Sequence, residues 1–92
     1  MRFEWDESKN QINIRKHGID FNDVSDIFQH PILSQRDTRT DYDEERWVSI
    51  GWIKLLVGVV VYTERRGDVI RIISARKATK QEAKYYVESI EN

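Results

Sequence analysis

The segment that most constrains this 92-residue chain runs from Leu55 to Thr63, Leu-Leu-Val-Gly-Val-Val-Val-Tyr-Thr. It is β-branched and apolar without the polar alternation of a half-exposed strand, so it reads as a central strand covered on both faces. Its uninterrupted apolar part, Leu55 to Tyr62, has eight residues, whereas a helix needs ~20 to span a bilayer. A chain this short builds one core. The neighbouring segments read as further strands. Trp47, Ser49, Gly51 and Ile53 alternate with Val48, Ile50 and Trp52, as in a strand with something packed on each face. Arg66-Gly67-Asp68 is a turn, and Val69 to Ala75 is the next strand.

The rest of the chain supplies the covering layers. Phe3 to Trp5 reads as a short edge strand, and Asp6 is a good N-cap for a helix over about 7–17. Glu7 lies in its first turn, Lys16 and His17 in its last, and Gly18 is placed for the left-handed C′ position. Asp20 opens a shorter helix ending near Phe28, because His30 and Pro31 do not continue it. Ile32 to Asp37 is strand-like, and Asp37 to Glu45 is a polar loop. Thr79 caps a final helix, Glu82 completes a capping box, and Ala83, Tyr86, Val87 and Ile90 form its apolar face. The order β-α-α-β-β-β-β-α, with strands joined by tight turns, predicts an α+β fold with an antiparallel sheet. No linker or repeat divides the chain, so residues 1–92 are expected to form a single domain.

Several function classes drop out on composition. There are no cysteines, which removes disulfide scaffolds and zinc-thiolate sites. Two histidines, His17 and His30, argue against a multi-histidine metal site. Asp41, Asp43, Glu44 and Glu45 lack the alternating oxygen ligands and central glycine of a calcium loop, so no metal and no cofactor are expected. No basic stretch followed by an apolar core opens the chain, which predicts a cytoplasmic protein. The net charge of −1 hides an asymmetry: residues 1–45 carry six Lys or Arg against eleven Asp or Glu, and residues 46–92 carry nine against five. That leaves a local anion-binding face open in the second half.

Eight of those nine cations fall in the sheet and final helix: Arg46, Arg65, Arg66, Arg71, Arg76, Lys77, Lys80 and Lys84. Arg71 interrupts an apolar strand and must leave the core or meet a carboxylate, such as Glu64 or Asp68 across the hairpin. Arg76 closes the same strand before the Thr79 cap, where its guanidinium could join helix N-terminal amides in holding a phosphate. Asn10, Ile14 and His17 share a face of the first helix, with Asn13 alongside. His17 is either a cap for the last carbonyls or a proton carrier. Trp52 and Tyr85 are the aromatics expected to be open to a partner.

Taken in order, Phe3-Glu4-Trp5-Asp6 with Lys9-Asn10, Arg15-Lys16-His17-Gly18 with Phe21, Glu45-Arg46-Trp47 with Ile50-Gly51, Val60-Val61-Tyr62-Thr63, and Arg71-Ile72-Ile73-Ser74-Ala75-Arg76 with Ala78 and Glu82 resemble the BrnT family of toxins. The resemblance spans about residues 3–86. It implies a type II toxin with a RelE-like fold that cuts RNA in the bacterial cytoplasm. It further implies a BrnA-like ribbon-helix-helix antitoxin as partner, DNA contact only through that antitoxin, no membrane, and a homodimer compatible with the assembly. Lys16, His17, Arg46, Arg71, Arg76 and Glu82 are the matching motif positions. Metal-free RNA cleavage needs a 2′-hydroxyl activated, phosphorane charge stabilised and the 5′-oxygen protonated. Arg76, aided by Arg71 or Arg46, would then clamp the phosphate, His17 or Glu64 would move the proton, and Lys16, Lys77 and Lys80 would hold the flanking RNA. The alternative is an inactive, antitoxin-binding co-repressor. A direct DNA binder is disfavoured, since no helix is densely basic.

Overall fold

The computed structural model describes residues 1–39 and 43–91. Its elements are β1 (Arg2–Glu4), α1 (Glu7–His17), α2 (Phe21–Val24) tightening into a 3₁₀ turn (Ser25–Gln29), β2 (Leu33–Arg36), β3 (Trp47–Ile53), β4 (Leu56–Arg65), β5 (Val69–Lys77) and α3 (Lys80–Glu91). This is the expected α+β order. The strands form one sheet, β1-β5-β4-β3-β2, with the apolar run as its middle strand.

One edge departs from the antiparallel expectation: β1 pairs parallel with β5, so the sheet is mixed. Tight turns fix the direction of consecutive strands only, and β1 joins the sheet from the start of the chain. Arg2, Phe3 and Glu4 lie opposite Val69, Ile70 and Arg71.

Instead of the single core expected of so short a chain, the two faces of the sheet carry separate cores, because each face of the doubly covered sheet buries its own apolar set. On one face α1, α2 and the 3₁₀ turn cover Ile53, Val60, Tyr62, Ile70, Ile72 and Ala75, with Phe21, Val24 and Ile27 driven into them. Gly51 permits this close approach, since a Cβ there would stand 3.0 Å from the Ile27 and Ile32 side chains. On the other face α3 places Ala83, Tyr86, Val87 and Ile90 against Val48, Ile50, Val57 and Val59. The Tyr86 hydroxyl, fully buried, donates to the Pro31 carbonyl.

The α1 helix has a weak apolar stripe and buries amides instead. Asn10 Oδ1 accepts from the Phe21 N–H at 2.8 Å, and its Nδ2 donates to Asp20. Asn13 Nδ2 donates to the Ile19 carbonyl, and its Oδ1 accepts from the Ala75 N–H at 3.2 Å. Asn13 thus satisfies an edge donor of β5 beyond the end of the β1 pairing. Asp6 caps the helix start, and Gly18, at φ 71°, closes its end by donating to the Ile14 carbonyl. The left-handed φ falls on glycine, which adopts it without strain.

The β4–β5 ladder slips once. Val61 faces Ser74, but Tyr62 faces Ile72, leaving Ile73 as an extra residue in β5. Such a bulge shifts the alternation by one position. Ile70, Ile72 and Ala75 therefore reach the first core, while Arg71, Ser74 and Arg76 lie on the α3 side.

Candidate active site

On the α3 side of the sheet a cleft of about 430 Å³ opens between the end of α1, the segment after β2, and the start of α3. Val48, Val59, Val61 and Ser74 line its floor; His17, Asp37, Arg39, Arg76 and Glu82 line its sides. His17 stands at the C-terminus of α1 and is exposed. The Asn13 bond to β5 brings that helix end beside Arg76.

Arg76 is held by a two-point pair with Glu82, Nη1 to Oε1 at 2.8 Å and Nη2 to Oε2 at 3.0 Å. Glu82 is itself fixed. Its Oε1 accepts from the Thr79 N–H at 2.9 Å, and its own N–H donates to Thr79 Oγ1 at 3.1 Å, the reciprocal capping box read from the sequence. The guanidinium hydrogen bonds, then the Thr79 N–H, lower the Glu82 carboxyl from 4.5 to about 2. The same hydrogen bonds raise Arg76 further. The carboxylate occupies the amide expected to help bind phosphate, so the helix terminus orients Arg76 instead of sharing its ligand.

A second guanidinium lies in the same cleft. Asp37, whose side chain is only 1% exposed, accepts from Arg39 Nε and Nη2, both at 2.8 Å, while Arg39 remains 71% exposed. Sequence reasoning missed Arg39 because it sits in a loop dominated by acids. The only available signal was the Asp37–Arg39 spacing, which allows an Asx-type turn.

The remaining expected residues lie elsewhere. Arg71 shares the face of Arg76 but pairs with Glu4 through the parallel β1 contact, not with Glu64 or Asp68. Its row on β4, at Thr63, is four residues from the Val59 row of Arg76, about 13 Å of strand. Arg46 lies at the near end of β3, half-buried, its carbonyl accepting from the Asp37 N–H, and does not line the cleft. Glu64 follows Tyr62 by alternation onto the opposite face, where it lines a separate hollow with Trp47, Tyr62 and Phe28. Lys77 leaves β5 on the side opposite Arg76. Lys16 and Lys80 are exposed near the helix ends that bound the cleft. Trp52 is half-buried against the α3 core, whereas Tyr85 is 66% exposed. Tyr85 lines a more apolar groove of about 620 Å³ that continues the cleft past Val48 and Val59.

Among the described residues no cluster of His, Cys, Asp or Glu could hold a metal ion. Of the acidic set, Asp41 lies outside the described residues, Glu44 pairs with Arg65, and Glu45 pairs with Arg36. No described helix is long and apolar enough to cross a membrane.

Comparison with known proteins bears on what such a cleft does. No curated protein matches this chain. The crystal structure of the Brucella abortus ribonuclease toxin BrnT is similar, with 29% identity and a TM-score of 0.67, over 87% of this chain and 99% of that one. Residues 5–82 match the family described as ribonuclease toxin, BrnT, of type II toxin-antitoxin systems. That match spans most of the sheet, both N-terminal helices and the Arg76–Glu82 pair, and the chain belongs to the BrnT family of ribonuclease toxins.

Proposed function

We propose that this toxin cuts RNA without a metal ion, in the cleft between α1, α3 and the segment after β2. The observation that carries the reading is Arg76, a guanidinium held at two points by Glu82 at the edge of that cleft, with His17 lining the same cleft. Preorganised cations aimed at developing charge cost no reorganisation during the reaction. The 2′-oxygen attacks phosphorus, the P–O5′ bond breaks, and the products are a 2′,3′-cyclic phosphate and a 5′-hydroxyl. Arg76 stabilises the phosphorane, and His17 supplies an imidazole, the side-chain type that exchanges protons near neutral pH. Lys16 and Lys80 attract the flanking backbone; Lys77 acts at longer range. Arg71 and Arg46 shape the potential of the same face from outside the cleft. Glu64, on the other face, takes no part.

Within the same reading, residues 1–92 act as a single domain in the cytoplasm. The cognate antitoxin carries a ribbon-helix-helix domain, and DNA is reached only through it.

The test is cleavage of end-labelled RNA by the purified chain in EDTA, with Arg76→Ala alongside and circular dichroism to confirm folding. Wild type should cleave, and the variant should lose about 10²–10³-fold. Loss of wild-type activity in EDTA, restored by magnesium, overturns the metal-free mechanism. Equal cleavage by both proteins removes Arg76 from the site. Absence of cleavage with antitoxin binding intact, even on translating ribosomes, favours the co-repressor.

A further inference from the structure

The cleft holds two like charges, each backed by its own carboxylate: Arg76 by Glu82 and Arg39 by Asp37. The second pair is unevenly buried. Asp37 has a side-chain exposure of 1%, and Arg39 of 71%. A carboxylate that deep has to be fully hydrogen-bonded to be tolerated, and the Arg39 side chain and backbone N–H provide three of its contacts. The result is a rooted guanidinium presented at the cleft wall, the fork geometry suited to phosphate. Two cations lining one concave site repel each other: the hydrogen bonds to Glu82 raise Arg76 overall, and the charge of Arg39 opposes them only weakly. An anion in the cleft removes that repulsion. An arginine serving only to brace the loop would gain nothing from lining the site.

We propose that Arg39 is a second RNA-binding residue of this cleft, contacting a backbone phosphate together with Arg76. The inference rests on the reading of the cleft as the RNA site. It adds a contact from the segment after β2, which the motif positions do not include.

The experiment uses the full chain, end-labelled single-stranded RNA for cleavage, and a 2′-O-methyl RNA of the same sequence for binding. Arg39→Gln keeps a donor for Asp37 and deletes the charge. Cleavage should fall about 10- to 100-fold, as for loss of a hydrogen bond to a charged group. The slope of log Kd against log salt should shrink by about 0.7, one phosphate contact to a single strand. Wild-type cleavage and an unchanged slope, with Arg76→Ala inactive, would overturn the role of Arg39 and leave the cleft standing. Wild-type cleavage by both variants would overturn the cleft itself. Should Arg39→Gln fail to fold, Asp37→Asn combined with Arg39→Gln keeps a neutral hydrogen-bonded brace without the cation. A loop brace predicts full activity in that double variant, and a phosphate ligand predicts the loss.

Discussion

On the sheet face covered by α1 and α2, the buried polar side chains are committed to the fold. Asn10 and Asn13 bond backbone groups of the α2 entry and β5, and Ser49 lies between Ser34 and Tyr62 in a hydroxyl chain. On the α3 face the buried acid Asp37 and the half-buried Glu82 grip guanidiniums that reach solvent. The polar groups named here are satisfied on both faces, but only one face directs that satisfaction outwards. A polar residue inside a small domain therefore says little about activity until its partner's exposure is known. The two faces also differ in cover, since α3 leaves the β5 side of its face open where the cleft forms.

The sharpest way to test this division is to damage the covered face. Phe21→Ala empties a site only 1% exposed and should cost about 3–5 kcal/mol in denaturant unfolding, a large share of the 5–15 kcal/mol usual for a domain. Asn13→Ala strands the Ala75 N–H and the Ile19 carbonyl. It should cost about 1–3 kcal/mol, and by loosening α1 from β5 it should also lower RNA cleavage through His17. A stability loss with cleavage per folded molecule unchanged would show that the cleft does not depend on the Asn13 link between α1 and β5.

A smaller effect is expected from Glu82→Gln, read as unfolding stability against pH. The Glu82 carboxyl is depressed from 4.5 to about 2, so its contribution is fully present above pH 4.5 and is lost as pH falls through about 2. The gap between wild type and variant should close over that window. With the pair more than a third exposed, screening holds the gap to about 1 kcal/mol or less. The smallest effect belongs to Glu64→Gln, on the covered side, which should leave cleavage within twofold of wild type. A larger loss would break the comparison.

Sequence reasoning reached most of the fold because the governing signals are local. The Asp6 cap, Gly18, the Thr79–Glu82 box and the Leu55–Thr63 run each fix an element from within a few residues. It placed Arg76 correctly beside a capped helix for the same reason, although the cap turned out to hold the arginine directly. What it missed depends on contacts distant along the chain. Glu4 meets Arg71 only because β1 joins β5 in parallel. Arg46 and Glu64 separate from Arg76 only once register and face are known. Arg39 stands out from the polar loop only through the burial of Asp37, which anchors it.

The extra residue in β5 reaches further than a local irregularity. Ile73 divides that strand into two reading frames, one before and one after the slip. Were the slip closed with Ile73 kept in the ladder, one half of the strand would have to turn over, putting either Arg71 in the place of Ile70 and Ile72, or Arg76 in the place of Ala75. Deleting Ile73 instead makes Ile72 and Ser74 consecutive opposite Tyr62 and Val61, which regularises the ladder and leaves every other side chain on its present face. The slip is thus what lets two frames of opposite parity share one strand. A collection of single-residue deletions should find Ile73 the best tolerated position in β5.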